Sequence, residues 1–454
     1  MTGMTATTAV PTAPGRLPLI GHAVPLQRNP LQFLARLGEL GPVVKLHLGP
    51  LPVYVVTRPE ILHEILVTKA DSFEKGQLFD KARHFLGDGI MTSGGAFHRR
   101  QRRLLQPAFH RQKINHYFTA MDEKAQELAE SWKPGQPVEL MRCLDELALA
   151  IVTATLFTTD LGRQAVDEIQ KSLPIVVDGV TWRTLFPVDG LHRLPTPANR
   201  RFNNAHERIR EVIDQVITAY RTDGTDHDDL LSLVLAARDA ETGQGMTDLQ
   251  VRDELVTLML AGAETVGSSI GSVLYELGRH PDVQARVHAE LDRVLQGRPI
   301  TAEDLPKLEY TGRVLTESLR LHAPTWLLMR RTRTDVTLGT TQLPAGSEVL
   351  FSISTLHRDP AVYDDPLAFD PDRWLRISVK DLPRGAYLPF GEGNRQCIGN
   401  TFAWMEMTVV LAAILSRWNL TPAPGPAPKH LYRVISRLDH VTMTLTPHTA
   451  PAKD

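Results

Sequence analysis

Cysteine is nearly absent from this chain: two residues in 454, Cys143 and Cys397. Two thiols cannot build the disulfide framework of a small secreted domain, so a reducing cytoplasm is the expected compartment. Aromatic residues are scarce at 6%, and the net charge is only −2. Such a balance supplies no basic field for nucleic acid and no excess charge for an anionic membrane. No Ser/Gly-rich linker or low-complexity run divides the chain, which predicts one domain over residues 16–454. Residues 1–15 are small, polar and proline-containing, with neither a basic n-region nor an apolar core, and are expected to be disordered rather than a leader. An uninterrupted apolar run is missing too. The best candidate, about 255–274, carries Glu264 near its midpoint together with Thr257, Thr265, Ser268, Ser269 and Ser272. An acidic group at a bilayer centre costs about 2.5–3.5 kcal/mol, so this stretch reads as a buried core helix.

What is present is 42% hydrophobic and 22% charged, ample for a large core. Residues 43–48 and 53–57, rich in valine and parted by Gly49-Pro50-Leu51-Pro52, predict a β-hairpin. Helical patterns follow at about 59–68, 98–105, 113–132, 139–158, 163–176, 198–221, 228–239, 247–278, 282–296 and 307–321. Residues 336–352 return to short strands, and a last helix is expected at about 400–416. The fold class is therefore mainly α with a small β-rich lobe, an α+β arrangement.

Chemistry concentrates near the C-terminus, in Phe390-Gly391-Glu392-Gly393-Asn394-Arg395-Gln396-Cys397-Ile398-Gly399. Glycines at 391, 393 and 399 are expected to supply positive φ and to let the main chain approach a flat ligand closely. A sulfur just before a helix is favoured as thiolate by the helix dipole and its unpaired N–H groups. Taken alone, Cys397 is an ordinary buried small hydrophobe. A second irregularity is Ala261-Gly262-Ala263-Glu264-Thr265, which puts a glycine and an acid inside an apolar helix. Glycine there costs about 1 kcal/mol and a buried carboxyl more unless it is partnered, and local rules broken together suggest a site.

The cysteine loop resembles the haem-ligand loop of cytochromes P450, in which a phenylalanine stands seven residues before the cysteine, a basic residue two before and a glycine two after: here Phe390, Arg395, Cys397 and Gly399. The resemblance extends from Pro14-Gly15-Arg16-Leu17-Pro18 over nearly the whole chain. It implies the P450 fold, haem b as cofactor and Cys397 as the iron ligand. Glu264 and Thr265 would be the acid–alcohol pair that delivers protons for dioxygen activation, on a helix locally opened at Gly262. Glu317, Arg320 and Arg373 (in Phe369-Asp370-Pro371-Asp372-Arg373-Trp374) would form a structural triad behind the loop. His98 and Arg102, four apart on one helix face, would meet a haem propionate. So would Arg395 and Arg330, with a one-residue slip to Arg331 left open.

Arg99, Arg100 and Arg103 would then remain to face an acidic electron donor. No Gly-rich dinucleotide fingerprint opens a βαβ unit, so electrons are expected from a separate ferredoxin and its reductase. Substrate walls are expected from the loop around Phe79–Met91, the helix near Val176–Phe186, and Leu258, Ala261, Leu327 and Leu328 through Met329. This mostly apolar inventory points to a hydrophobic small molecule. His98 to Phe109 and Leu194 to Phe202 are similar to segments of actinobacterial P450s that oxidise cyclic sesquiterpenes, so terpenoid oxidation is the first expectation, with fatty acids or polyketides next. A peroxide-driven haem-thiolate enzyme and a non-catalytic haem sensor or carrier are the rivals. The intact Glu264-Thr265 pair argues against both.

Overall fold

A computed structural model describes residues 10–185 and 194–449. The chain forms two compact units, each drawn from two stretches: residues up to Asp80 with Leu319–Cys397, and Lys81–Ser318 with the segment from Ile398 onward.

The first unit is built on a five-stranded sheet. Strands β1 (Val43–Leu48) and β2 (Leu51–Val56) pair antiparallel with Leu48 opposite Leu51, so the hairpin turn is only Gly49-Pro50. Leu51 and Pro52, expected in the turn, belong to the strand. Gly49 takes φ 62°, which a two-residue connection needs and glycine permits. Strands β3 (Phe73–Lys75), β4 (Leu327–Thr332) and β5 (Glu348–Ser352) complete the order β1-β2-β5-β4-β3. In the β3–β4 pair Lys75 stands opposite Arg330. One face of the sheet packs on Ile61, Leu62, Ile65 and Leu66, with Val56 and Phe351 in the same cluster. The opening segment is less idle than its composition suggests. Thr12 bridges Lys45, Ala13 is buried, and the Ala13 amide donates to the Lys45 carbonyl at 2.8 Å. Residues 1–9 lie outside the described residues.

The second unit is helical: α1 (Gly95–Leu105), α2 (Arg111–Ser131), α3 (Leu140–Leu156), α4 (Asp160–Leu185), α5 (Pro197–Asp223), α6 (Asp248–Arg279), α7 (Pro281–Leu295) and α9 (Asn400–Leu415), while α8 (Glu309–Leu321) runs through the boundary between the units. Helix α4 does not stop near residue 176 but continues through Pro174. An interior proline costs about 3 kcal/mol, and packing on α5 offsets it. The Arg183 guanidinium lies 3.7 Å from the Phe202 ring centroid and donates to Asn199 at 2.7 Å.

Helix α6 starts on a capping box, Thr247 with Gln250, and is buried through most of its length. Its close neighbour is α3. A Cβ on Gly262 would stand 2.8 Å from Val152, on Gly267 2.7 Å from Asp145, and on Gly271 2.5 Å from Met141. These glycines let α3 approach. Gly262 therefore marks close packing and not a break, because α6 is helical without interruption through it.

Candidate active site

The cysteine loop is set by backbone geometry. Gly391 and Gly393 have φ 70° and 72°, as expected, but Gly399 has φ −89° and so needs no glycine for its conformation. A Cβ on Gly393 would fall 2.1 Å from the Leu66 carbonyl oxygen, so the loop lies directly on residues 64–68. Next to it, His63 Nδ1 meets Glu392 at 2.9 Å. The Cys397 amide donates to the Phe390 carbonyl at 2.8 Å, closing the loop. Cys397 is exposed, against the habit of an inert free cysteine.

The middle of α6 is the other unusual place. Residues on either side are buried, yet Ala261 is exposed and Gly262, Glu264 and Thr265 are only half-buried. The Thr265 hydroxyl donates to the Ala261 carbonyl at 2.6 Å. Burial pushes the Glu264 carboxyl up to about 7. Asp145 pushes in the same direction, and the Arg437 guanidinium pulls back. Arg437 itself is paired with Asp145 at 2.7 Å. A carboxyl near 7 can hold a proton and release it at neutral pH.

In the first unit three cations crowd together. Arg330 is buried, and desolvation followed by Arg395 lowers its pKa to about 10. Burial, then Arg330 and Arg395, hold the Lys75 ammonium well below its usual value. Lys75 was not anticipated: β3 is three residues long, and only its pairing with β4 brings the lysine opposite Arg330. Arg331, the alternative one residue on, is tied to Glu348 at 2.7 Å, Asp80 at 2.9 Å and Glu74 at 3.4 Å. In the second unit, His98 is buried on α1 and Arg102, half-buried, lies one turn further on the same face.

Glu317, Arg320 and Arg373 are all buried. Arg320 donates to the carbonyls of His357 (2.8 Å), Pro366 (2.7 Å) and Ala368 (3.1 Å), and Arg373 to those of Asp364 and Asp365. His357, missed in the sequence, links this cluster toward the cysteine loop. Its Nε2 accepts from the Leu388 amide at 2.7 Å, which requires the neutral ring, and burial lowers its pKa to about 3.

Several expectations change. Leu327 and Leu328 are both half-buried, and Leu328 packs against the sheet's core cluster. Val176, Val177 and Val180 are core residues, and Phe186 lies outside the described residues. Met91 is half-buried, and Leu258 is buried one turn before Ala261. Arg100 and Arg103 are not spare. Arg100 donates to the Gln244 and Gly245 carbonyls at 3.1 and 2.7 Å, and Arg103 is paired with Asp239 (2.9 Å) and Glu241 (3.1 Å). Of the three, Arg99 is exposed and has no such tie among the described residues.

Residues 11–439 match the family described as Cytochrome P450. The chain belongs to the cytochrome P450 family. Over 414 residues it is 44% identical to cyclooctat-9-en-7-ol 5-monooxygenase of Streptomyces melanosporofaciens, covering 91% of this chain and 90% of that one. Against pentalenene oxygenase of Streptomyces avermitilis it is 40% identical, covering 91% and 92%. The crystal structure of the cytochrome P450DA haem domain superposes with a TM-score of 0.88 at 27% identity, covering 98% of both chains. A P450 carries a haem-thiolate centre, and the residues present fit one. In the first unit Cys397 is exposed, and Lys75, Arg330 and Arg395 crowd positive charge that carboxylates of a ligand would relieve; in the second, Ala261 is exposed within a buried helix.

Proposed function

We propose that the chain is a monooxygenase that inserts one oxygen atom from O2 into a cyclic terpenoid, taking two electrons from a separate ferredoxin and reductase. The overall change is R–H + O2 + 2 e⁻ + 2 H⁺ → R–OH + H2O. The observation that carries this reading is the named activity of the Streptomyces relatives, at 40–45% identity over about nine-tenths of each chain. Haem b, bound through the Cys397 thiolate, would supply the oxidising power for an unactivated C–H bond.

The chain's own residues do the rest. Arg330 and Arg395, with Lys75 beside them, would hold propionate carboxylates, because a guanidinium fork matches a carboxylate in two hydrogen bonds. His98 and Arg102, on α1, would serve the same end. Phe390 and Gly399 belong to the loop that would carry the ligand, and Glu317, Arg320 and Arg373 would keep the segment leading to it in place. Glu264 would give up a proton and Thr265 would pass it on, so that two-electron reduction would end in water and product and not in peroxide. In the helical unit Leu258, Ala261 and Met91 would offer an apolar wall, which suits a hydrocarbon skeleton because burying it releases about 25 cal/mol per Å². The donor meets a surface that includes Arg99 and the open depression formed by Gln106, Pro107, His110 and Lys113. A cytoplasmic setting follows from this electron supply.

The test is a binding screen read by the haem spin-state shift, followed by turnover with ferredoxin and reductase against turnover with peroxide alone. Terpenoid hydroxylation that depends on the donor supports the proposal. Product formed only with peroxide, or from fatty acids alone, would replace it.

A further inference from the structure

Ten residues before Glu264, the same helix carries two adjacent carboxylates, Asp253 and Glu254, both buried. They face the segment 87–92, which leads into α1 and contains Met91. The Asp88 amide donates to Asp253 Oδ2 at 2.8 Å and the Ile90 amide to Glu254 Oε2 at 2.8 Å, so alternate amides of the segment are held by consecutive side chains of α6. Glycine makes this possible. A Cβ on Gly87 would stand 2.2 Å from the Asp253 carboxyl carbon, and one on Gly89 2.4 Å from the Thr257 hydroxyl.

The segment is also closed on itself. Thr92 Oγ donates to the Gly87 carbonyl at 2.7 Å, and Arg83 pairs with Asp88 at 3.3 Å. The second oxygen of Glu254 accepts from the Gln101 side-chain amide of α1 at 3.1 Å. One carboxyl thus ties together the 87–92 segment and the helix that presents His98 and Arg102. Helical spacing adds the rest. Asp253, Thr257, Ala261 and Glu264 recur at intervals of three and four, so the segment lies on the α6 stripe that bears the reactive pair, about 15 Å along the axis.

We propose that Asp253 and Glu254 are positioning residues that set the place of the substrate-facing segment 87–92 relative to the reactive stretch of α6, and thereby the size of molecule the site accepts. This rests on the assignment of Met91 to the pocket wall. Neither carboxylate touches substrate; both act through the backbone of the segment. A strand of main chain held only by side-chain packing would drift with each change in pocket contents. Two carboxyl acceptors on consecutive residues fix it to the helix that carries the chemistry.

Hydrogen exchange and azole binding test the idea together on the haem-loaded protein. In Glu254→Ala the amides of 87–92 should exchange at least tenfold faster while those of α3 keep their protection. The ratio of dissociation constants for 1-phenylimidazole and 1-dodecylimidazole, read spectrally, should shift at least fivefold. Gly89→Ala pushes the same segment outward from its own side and should shift that ratio as well, so the proposal stays testable if Glu254→Ala does not fold. Glu254→Gln sets an amide against the donors of Ile90 or Gln101. Adding Gln101→Glu restores one donor to each acceptor and should return the ratio to within about twofold of wild type. An unchanged ratio in both Glu254→Ala and Gly89→Ala overturns the proposal, as does faster exchange without any change in ratio, which would mean that the carboxylates only stabilise the fold. The CO complex of the same preparations reports on haem ligation independently, so failure of the functional assignment is not confused with failure of this one.

Discussion

Two turns of one helix, at 253–254 and at 261–265, show how a single physical effect serves two purposes. Glu254 and Glu264 are both pushed up to about 7, and in both the largest cause is burial. Their surroundings then diverge. Glu254 is met by two fixed donors, the Ile90 amide and the Gln101 side chain, and both of its oxygens are engaged by protein. Glu264 is shaped by charges at a distance, Asp145 and Arg437, in a stretch where the helix is open on one side. A carboxyl with all its partners fixed holds a structure in place. One with the same pKa and an open side can exchange protons.

The largest expected effect breaks this comparison or upholds it. Glu264→Gln should lower donor-driven turnover by about 10²-fold, the usual share of a positioned acid, and leave azole affinities unchanged. Because the Glu264 carboxyl is protonated below about 7, the proton-limited rate in the wild type should fall as pH rises through that value, and the variant should lose this dependence. If Glu264→Gln alters azole affinities as Glu254→Ala is expected to, the two turns are not functionally distinct. Thr265→Ala sharpens the point. It should still bind haem and ligands while more than half of the reducing equivalents appear as hydrogen peroxide, measured as the ratio of product to electrons consumed. Full coupling would remove Thr265 from the relay.

Like residues with unlike partners recur elsewhere. Arg330 and Arg331 are neighbours on β4, yet Arg331 is committed to three carboxylates and Arg330 to a cationic cluster. Arg330→Met should weaken haem retention about tenfold, followed by transfer of haem to an apo-globin, whereas Arg331→Met should lower thermal stability without accelerating that transfer. The reverse pattern would restore the slipped register. The smallest effect concerns the donor. Arg99→Glu should slow ferredoxin-dependent reduction severalfold at low salt and by less as salt screens the charge, over a Debye length of about 8 Å at physiological ionic strength. Arg103→Glu is a different experiment, because it sets a carboxylate against Asp239 and Glu241 and loosens the fold. Equal rates for Arg99→Glu and wild type would place the donor elsewhere.

These pairs also explain what could be read from the sequence. The cysteine loop was legible because its signal is local: glycines, an arginine and a cysteine within ten residues, each with a backbone or charge reason to be there. The stretch 261–265 stood out in the sequence because a glycine and an acid break helix rules together there, and the structure adds that burial pushes the Glu264 carboxyl up. Gly262 was noticed for the wrong reason. Its cause is Val152 on another helix, and no spacing within α6 reveals that. Arg100 and Arg103 looked spare because their partners lie at 239–245, well over a hundred residues away. Lys75 and the choice between Arg330 and Arg331 depend on strand pairing across more than 250 residues, and a three-residue strand carries no periodic signal of its own.

The account stands on Cys397 as the thiolate that holds the haem iron, and the reduced CO complex tests it most directly. A thiolate ligand gives that complex its red-shifted absorption band. The wild type and Cys143→Ser should both show the band, and Cys397→His should lose it while still binding haem. A red-shifted band that survives in Cys397→His, or disappears in Cys143→Ser, would contradict the assignment.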